Sequence, residues 1–329
     1  NESYYGNNGS YYCDNIDLKS IPEELSKYVE VNVVARRSNI QRTKLVKNFK
    51  IQAANNILLF LYFVFNSAKD NNSEHLIISV SPYTFLASLI LKMFNKKHFI
   101  YLRSDGYKEY KAIFGTLGYL IYYILFSLSS FKANLISCRE HILRKKAGFI
   151  VNPSQINEKW FENLNEPNLK NLKLLYVGRL RVEKGIFSLL NLLENSNLKL
   201  TIVTSEKNVS LKKKNENISL ISFENYNDSI IKFYDEHSIF ILPSYTEGHP
   251  QVLDEALARQ RPVIIFEDIA HVIRNRKGIF ISKRNLKSLE QTIKFIISNY
   301  SNIKEKLKTN ILPTKKNFIN KIKRIILDV

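Results

Sequence analysis

The sequence predicts an α/β protein made of two Rossmann-like domains. Three observations carry that reading. Short apolar runs alternate with longer amphipathic stretches along the whole chain. The runs are apolar at successive positions rather than every second one, as parallel strands covered by helices on both faces require. A polar stretch breaks the pattern just past Asn152-Pro153, and 329 residues exceed what one hydrophobic core usually spans.

The opening, NESYYGNNGSYYCDN, reads as a polar loop. That leaves the first domain without its first strand, and makes Tyr5-Gly6-Asn7-Asn8-Gly9-Ser10 a set of turn residues. Strands are expected at Val31–Ala35, His75–Val80, His98–Leu102 and Ala133–Ser137, with helices at Lys44–Phe65 and Pro82–Phe94. Ala112–Phe131 is twenty residues without a charge, long enough to span a bilayer. Its two glycines, three tyrosines and four serines and threonines, and its place between two strands, favour a buried or interfacial helix. After the boundary, Ser154–Lys170 reads as a linker with a short helix. The second sheet then takes strands at Lys173–Val177, Lys199–Val203, Ile218–Ile221, Ser238–Leu242, Pro262–Phe266 and Gly278–Ile281. Helices are expected at Ile186–Asn195, Asp228–Glu236 and Leu286–Asn299. The domains are thus 1–151 and 152–312, and residues 313–329 form a basic amphipathic helix.

The net charge is +19. It is shared between the halves, with 20 basic and 11 acidic residues over 1–150 and 29 and 19 over the rest. Such an excess argues for an anionic partner, whether phosphorylated small molecule, lipid head group or nucleic acid. Two cysteines, Cys13 and Cys138, with no C-x-x-C or metal-ligand spacing, fit a reducing, cytosolic setting.

In an open α/β sheet, ligands bind beyond the carboxyl ends of the strands, so the residues after each strand are the ones to weigh. In SYTEGHPQVLDEALARQRPVIIF, from Ser244 to Phe266, the strand ending at Leu242 is followed by a loop and by Pro250 in the first turn of a helix. Free backbone N–H groups near Gly248, His249 and Gln251 suit an anion such as a diphosphate. Glu247 sits at the lip of that loop. Glu255 sits near the helix start, where a carboxylate can accept from a pair of sugar hydroxyls. Acids also favour helix N-termini for purely electrostatic reasons, so these two alone leave both readings open. In LLYVGRLRVEKGIFSLL, Gly178 turns the chain at a strand end. Arg179, with its planar fork, and Lys184, as a point charge, can hold a diphosphate. A ligand carrying both a diphosphate and hydroxyls, such as a nucleotide sugar, fits both loops at once.

These residues resemble the donor-binding domain of GT-B glycosyltransferases, specifically the large retaining family 4 group. The resemblance covers residues 172–266, about a third of the chain. It rests on the G-R-x-x-x-x-K-G loop (Gly178, Arg179, Lys184, Gly185), the P-S-x-x-E-G run (Pro243, Ser244, Glu247, Gly248), the E-x7-E spacing of Glu247 and Glu255, and Glu255–Ala258. It implies two Rossmann-like domains whose parallel sheets face each other across a cleft, and transfer of a sugar from a nucleotide-diphosphate donor with retention. By that resemblance Arg179, Lys184 and Glu247 are catalytic, the two cations neutralising the departing diphosphate. Gly178, Gly248, His249, Pro250 and Glu255 bind the donor, Glu255 at the ribose, with Phe223 and Glu224 near the base. No metal or other cofactor is implied beyond the nucleotide-sugar co-substrate.

The first domain departs from the family pattern. Many relatives place a histidine at the end of a central strand, whereas His98 begins its strand and reads as structural. Arg103 and Asp105 stand at that strand end instead, as candidates for binding acceptor or sugar, although Asp105 also suits a helix cap. The resemblance implies a glycan or lipid-linked acceptor in synthesis of a bacterial surface polysaccharide such as capsule or lipopolysaccharide. With the basic charge and the Ala112–Phe131 helix, it places the protein in the cytoplasm, peripherally on the inner face of an anionic plasma membrane. Two alternatives are a nucleotide-sugar epimerase or sugar phosphorylase on the same fold and a non-catalytic nucleic-acid binder. The last is disfavoured by scattered lysines such as Lys212-Lys213-Lys214 and by the lack of a nucleic-acid module. A dinucleotide oxidoreductase is disfavoured, since no G-x-G-x-x-G follows a strand.

Overall fold

The computed structural model describes residues 3–206, 215–223 and 230–327. They divide into two compact units, residues 1–152 with 316–329, and residues 153–315. In chain order the first unit holds β1 (Ser3–Asn7), β2 (Ser10–Cys13), α1 (Ile16–Leu25), β3 (Asn32–Arg37), β4 (Lys44–Val46), β5 (Lys50–Ala54), α2 (Ile57–Lys69), β6 (His75–Ile78), α3 (Pro82–Met93), β7 (His98–Leu102), α4 (Gly106–Ser130), β8 (Asn134–Ser137) and β9 (Phe149–Ile150). The second holds β10 (Lys173–Val177), α5 (Ile186–Leu192), β11 (Lys199–Thr204), β12 (Ile218–Ser222), α6 (Ile231–Asp235), β13 (Ile239–Leu242), α7 (Gln251–Ala258), β14 (Val263–Phe266), β15 (Ile279–Ser282), α8 (Leu286–Ser298) and α9 (Tyr300–Lys308). The last helix, α10 (Lys315–Leu327), returns to the first unit. There Phe318, Ile319, Ile322, Ile325 and Ile326 pack on Phe99, Tyr101, Ile136 and Val151.

Two segments of the first unit differ from the sequence expectation. The opening is a hairpin rather than a loop. Tyr5 pairs with Tyr12, and Asn8 (φ 47°) and Gly9 (φ 75°) make a two-residue turn of the primed kind that matches strand twist. β1 also runs parallel to β3, so a strand stands where none was expected. The stretch expected as one helix from Lys44 to Phe65 is β4, β5 and α2. Asn48 at φ 69° turns the chain between the strands, and the Asn56 side chain, accepting from Leu59 N at 2.8 Å, starts the helix only at Ile57. The unit's strands form one sheet in the order β4-β2-β1-β3-β5 and a parallel sheet β6-β7-β8-β9.

The uncharged segment Ala112–Phe131 falls almost wholly within α4. That helix starts at Gly106 and is broken at Gly115, whose φ of 64° is open to glycine at little cost. Tyr122, Leu125 and Phe126 line its buried side. Among the described residues α4 is the one helix long and apolar enough to cross a membrane, by length and composition.

In the second unit every strand pairing is parallel, in the order β12-β11-β10-β13-β14-β15. Leu174–Val177, Ile239–Leu242 and Val263–Phe266 are buried at every position, as a sheet covered on both faces demands. Strand order runs outward one way from β10 and the other way from β13, so the topological switch point lies between these two strands. The segment leading into β10 has one helical turn, Glu158–Phe161. Two buried arginines hold it in place. Arg259 grips Asp235 through two bonds of 2.8 and 2.9 Å and donates to the Trp160, Glu162 and Asn163 carbonyls. Arg261 donates to the carbonyls of Asn165 and Tyr234. Charges this deep are tolerable only when every donor is met.

Candidate functional site

The two loops singled out in the sequence leave β10 and β13, the strands that flank the switch point. After β10, Gly178 N still donates to Val203 O at 3.0 Å, and then the chain turns. The Tyr176 phenol, held protonated by burial, fixes the turn by donating to Arg179 O at 2.7 Å. The Arg179 side chain is exposed, with no carboxylate partner among the described residues. Glu206 ties the loop to β11 by accepting from Leu180 N at 3.1 Å, and lies 3.4 Å from Arg181 Nε. Lys184 ends a single turn of 3₁₀ helix, and Gly185 follows at φ 65°. A Cβ on Gly185 would lie 1.9 Å from Pro243 O, so the first loop packs backbone to backbone on the second. Tyr245 N donates to Glu183 O at 3.0 Å and closes the same seam.

Lys184 and Glu247 clasp the loops together. Lys184 Nζ donates to Glu247 Oε1 at 2.7 Å, and the buried Ser244 donates to the same oxygen at 2.6 Å. His271 Nε2 lies 3.1 Å from Glu247 O. Arg284 donates to Pro243 O at 3.0 Å and lies over the Tyr245 and Phe266 rings, at 4.2 and 4.4 Å from their centroids. Pro250 is the extended cap before α7 (φ −75°, ψ 100°) rather than part of its first turn. Gly248 and His249 are half-buried on the approach to it. The His249 ring is tucked inward, its Nε2 3.1 Å from Asp254 Oδ2, and Arg276 Nε stands 2.7 Å from Asp254 Oδ1. What His249 presents to the loop is therefore its backbone.

Glu255 is the fifth residue of α7 and is buried. Tyr234 donates its phenol to Glu255 Oε2 at 2.7 Å. Burial pushes the carboxyl up to about 7; the Tyr234 bond pulls the other way and the Asp254 charge adds to the rise. Phe223 follows β12, its N donating to Thr204 O at 2.7 Å and its ring set edge-on to Phe233 at 5.1 Å. Glu224 lies outside the described residues.

The remaining candidates belong to the first unit, where both make ion pairs. Arg103 Nε donates to Asp17 Oδ2 at 2.7 Å. Asp105 caps α4 by accepting from Tyr107 N at 3.2 Å, and takes Arg144 on both oxygens at 3.1 Å. His98 is buried against Ser88, its Nε2 3.1 Å from the Ser88 hydroxyl, and burial depresses its pKa. Sequence reading had no hold on Tyr234, Glu206, His271 or Arg284. Their partners lie 16 to 41 positions away along the chain, and only the folded sheet brings them together.

At the switch point, then, stand an exposed guanidinium, an ammonium shared with a carboxylate, a helix start and a second, buried carboxylate. Such a set can neutralise a diphosphate and accept from hydroxyls. Residues 156–312 match the family model of glycosyl transferases group 1. Among curated proteins, the capsular polysaccharide biosynthesis glycosyltransferase CapM of Staphylococcus aureus is 27% identical over 169 residues, 46% of this chain and 43% of CapM. The chain spans less than half the length of the curated relatives it matches. Among solved structures, sucrose-phosphate synthase from Thermosynechococcus elongatus superposes with a TM-score of 0.67 at 16% identity, covering 99% of this chain and 94% of that one. WaaG, a glycosyltransferase involved in lipopolysaccharide biosynthesis, gives 0.68 at 14% identity, covering 97% and 98%. At such identities these likenesses establish the fold, GT-B.

Proposed function

We propose that this chain, whose residues 156–312 belong to the glycosyl transferases group 1, is a retaining glycosyltransferase. In this reading it moves a sugar from a nucleotide-diphosphate donor to a glycan or lipid-linked acceptor in bacterial surface polysaccharide synthesis. One observation carries the reading: the two motif loops leave the strands on either side of the switch point and are clasped by Lys184 and Glu247. That is where an open α/β sheet binds its ligand. The diphosphate lies against Arg179 and Lys184 and the backbone before α7, and Glu255 accepts from the ribose hydroxyls. The bond between the anomeric carbon and the diphosphate oxygen breaks while the acceptor oxygen bonds to the same face of the sugar. The acceptor's proton passes to the departing diphosphate. Fixed cations stabilise the charge that develops there, so the reaction runs without a metal. Glu247, already held by Lys184 and Ser244, positions the loop rather than acting as an acid or base. The name of CapM, a capsular polysaccharide enzyme, supports the surface-glycan assignment.

Titration calorimetry with UDP, GDP and ADP tests the donor site. One nucleotide should bind in the micromolar range, with binding lost in Arg179→Ala and Glu255→Ala. Binding by none of the three overturns the reading.

A lipid-linked acceptor requires approach to a membrane, and α4 supports one. Ile113, Phe114, Leu117, Leu120 and Ile124 are exposed along it, Lys108 and Lys111 precede them and Lys132 follows. Apolar surface bracketed by cations suits an anionic bilayer. α4 connects β7 to β8, which are parallel neighbours, so crossing the bilayer would break the sheet, and the helix lies in the interface instead. The protein thus works at the cytoplasmic face of the membrane. Flotation with phosphatidylglycerol vesicles should carry it upward, and Leu117→Glu with Leu120→Glu should leave it at the bottom. No flotation of the unaltered chain at low salt overturns membrane docking and leaves the donor site standing.

A further inference from the structure

We infer that Tyr234 is the positioning residue of Glu255, holding Oε2 so that Oε1 faces the ligand. The inference rests on the donor-site reading and deepens it, because Tyr234 is not among the motif residues that carry that reading.

The geometry makes the hydroxyl conspicuous. Tyr234 is 0% exposed. Its ring is set edge-on to Trp160 at 5.4 Å and tilted on Phe240 at 5.7 Å, and its carbonyl is pinned by Arg261 at 2.7 Å. A phenylalanine would fill the same space. The phenol oxygen is a polar group in an apolar wall, and a buried polar group without a good partner is costly. The phenol donates to Glu255 Oε2 at 2.7 Å, and the Val252 carbonyl is 3.5 Å away. No described donor within the protein reaches Oε1.

A long carboxylate side chain on a short helix can swing between rotamers, and a rigid phenol removes that freedom. Locking one oxygen prepays the ordering cost that ligand binding would otherwise carry. The bond also bears on charge, since a phenol donating to a carboxylate favours its ionised form, the form able to accept from two hydroxyls. Among the described residues the other charged group facing Glu255 is Asp254, from its own helix, and Asp254 is itself met by Arg276 at 2.7 Å.

The test is calorimetric titration of Tyr234→Phe with whichever of UDP, GDP and ADP the unaltered chain binds, from about pH 5 to 9. In the unaltered chain, affinity should climb as pH passes about 7. In Tyr234→Phe the midpoint should move up by about one pH unit, with roughly fivefold weaker binding at neutral pH that recovers in alkali. Glu255→Gln should lose that step, leaving the titration of the diphosphate itself, which all three proteins share. A merely structural tyrosine would lower the melting temperature and leave the midpoint in place, and that result overturns the inference while keeping the donor site. No nucleotide binding by the unaltered chain at any pH overturns both.

Discussion

Glu247 and Glu255, eight positions apart, occupy regions of opposite character. Glu247 lies on a loop, half-buried, with an ammonium and a hydroxyl on one oxygen. Glu255 lies in the wall of the core with a phenol as its partner and burial pushing it toward neutrality. The difference lies in what each region can supply. Where two loops meet near solvent, a lysine tail can reach across 63 positions of chain to neutralise a carboxylate. Inside the helix–sheet wall the acid is met by a neutral donor on a rigid ring. The first acid is committed to charge pairing, and the second keeps a protonation state that a ligand can change.

Removing the cation from the first region should have the largest effect. Lys184→Ala takes away one of the two charges proposed to face the departing diphosphate, and transfer should slow by about 10²–10³. The fold should suffer far less. The lysine side chain is 23% exposed and Ser244 still holds Glu247, so roughly 1–2 kcal/mol is at stake. Steady-state transfer with the donor that calorimetry identifies, beside thermal unfolding of the same samples, separates the two. A rate within about threefold of the unaltered chain would mean that Lys184 serves the clasp alone.

The second region gives a pH-dependent stability. Glu255 titrates near 7 in the fold against an ordinary 4.5, so the folded chain binds its proton more tightly than the unfolded chain. The resulting stabilisation is complete below about pH 4.5, declines as pH rises toward 7, and is gone above it. The span is about 3 kcal/mol. Glu255→Gln cannot ionise, so it should match the unaltered chain near pH 4.5 and unfold several degrees higher near pH 8. Equal melting temperatures at both pH values would show that Glu255 stays ionised in the fold.

How legible these regions were in the sequence follows from how local their causes are. Lys173–Val177 and His98–Leu102 are strands from end to end as expected, because four successive apolar or aromatic residues after the first position leave a parallel strand little alternative. The loops after β10 and β13 were legible because glycine, cations and acids recur at fixed spacing beside those strands. Lys44–Ala54 was not. Its lysines interleave with Leu45, Val46, Phe49 and Ile51 in a pattern with both helical and strand periods, and the Asn48 turn decides between them. The opening hairpin was hidden by its tyrosines, which pass for polar loop yet suit strands well. Tyr234 could not be found at all. A tyrosine in a short amphipathic helix says nothing about its partner until β13 and α7 bring residue 255 beside it.

Ser244 offers the smallest effect and the finest comparison, since it is to Glu247 what Tyr234 is to Glu255: a hydroxyl donating to a carboxylate oxygen, at 2.6 Å. Ser244→Ala deletes one bond to a charged acceptor that keeps its lysine. The loss should be about 1–1.5 kcal/mol of stability or, if the loop loosens, a few-fold in transfer rate. The pH profile should not move, because the Lys184 ammonium still meets Glu247 Oε1 at 2.7 Å. In Tyr234→Phe the same chemical deletion leaves a buried carboxylate with no replacement donor, and the profile should shift. If Ser244→Ala displaced the pH profile as far as Tyr234→Phe does, the two acids would be electrostatically alike, and the contrast between open clasp and closed wall would fail.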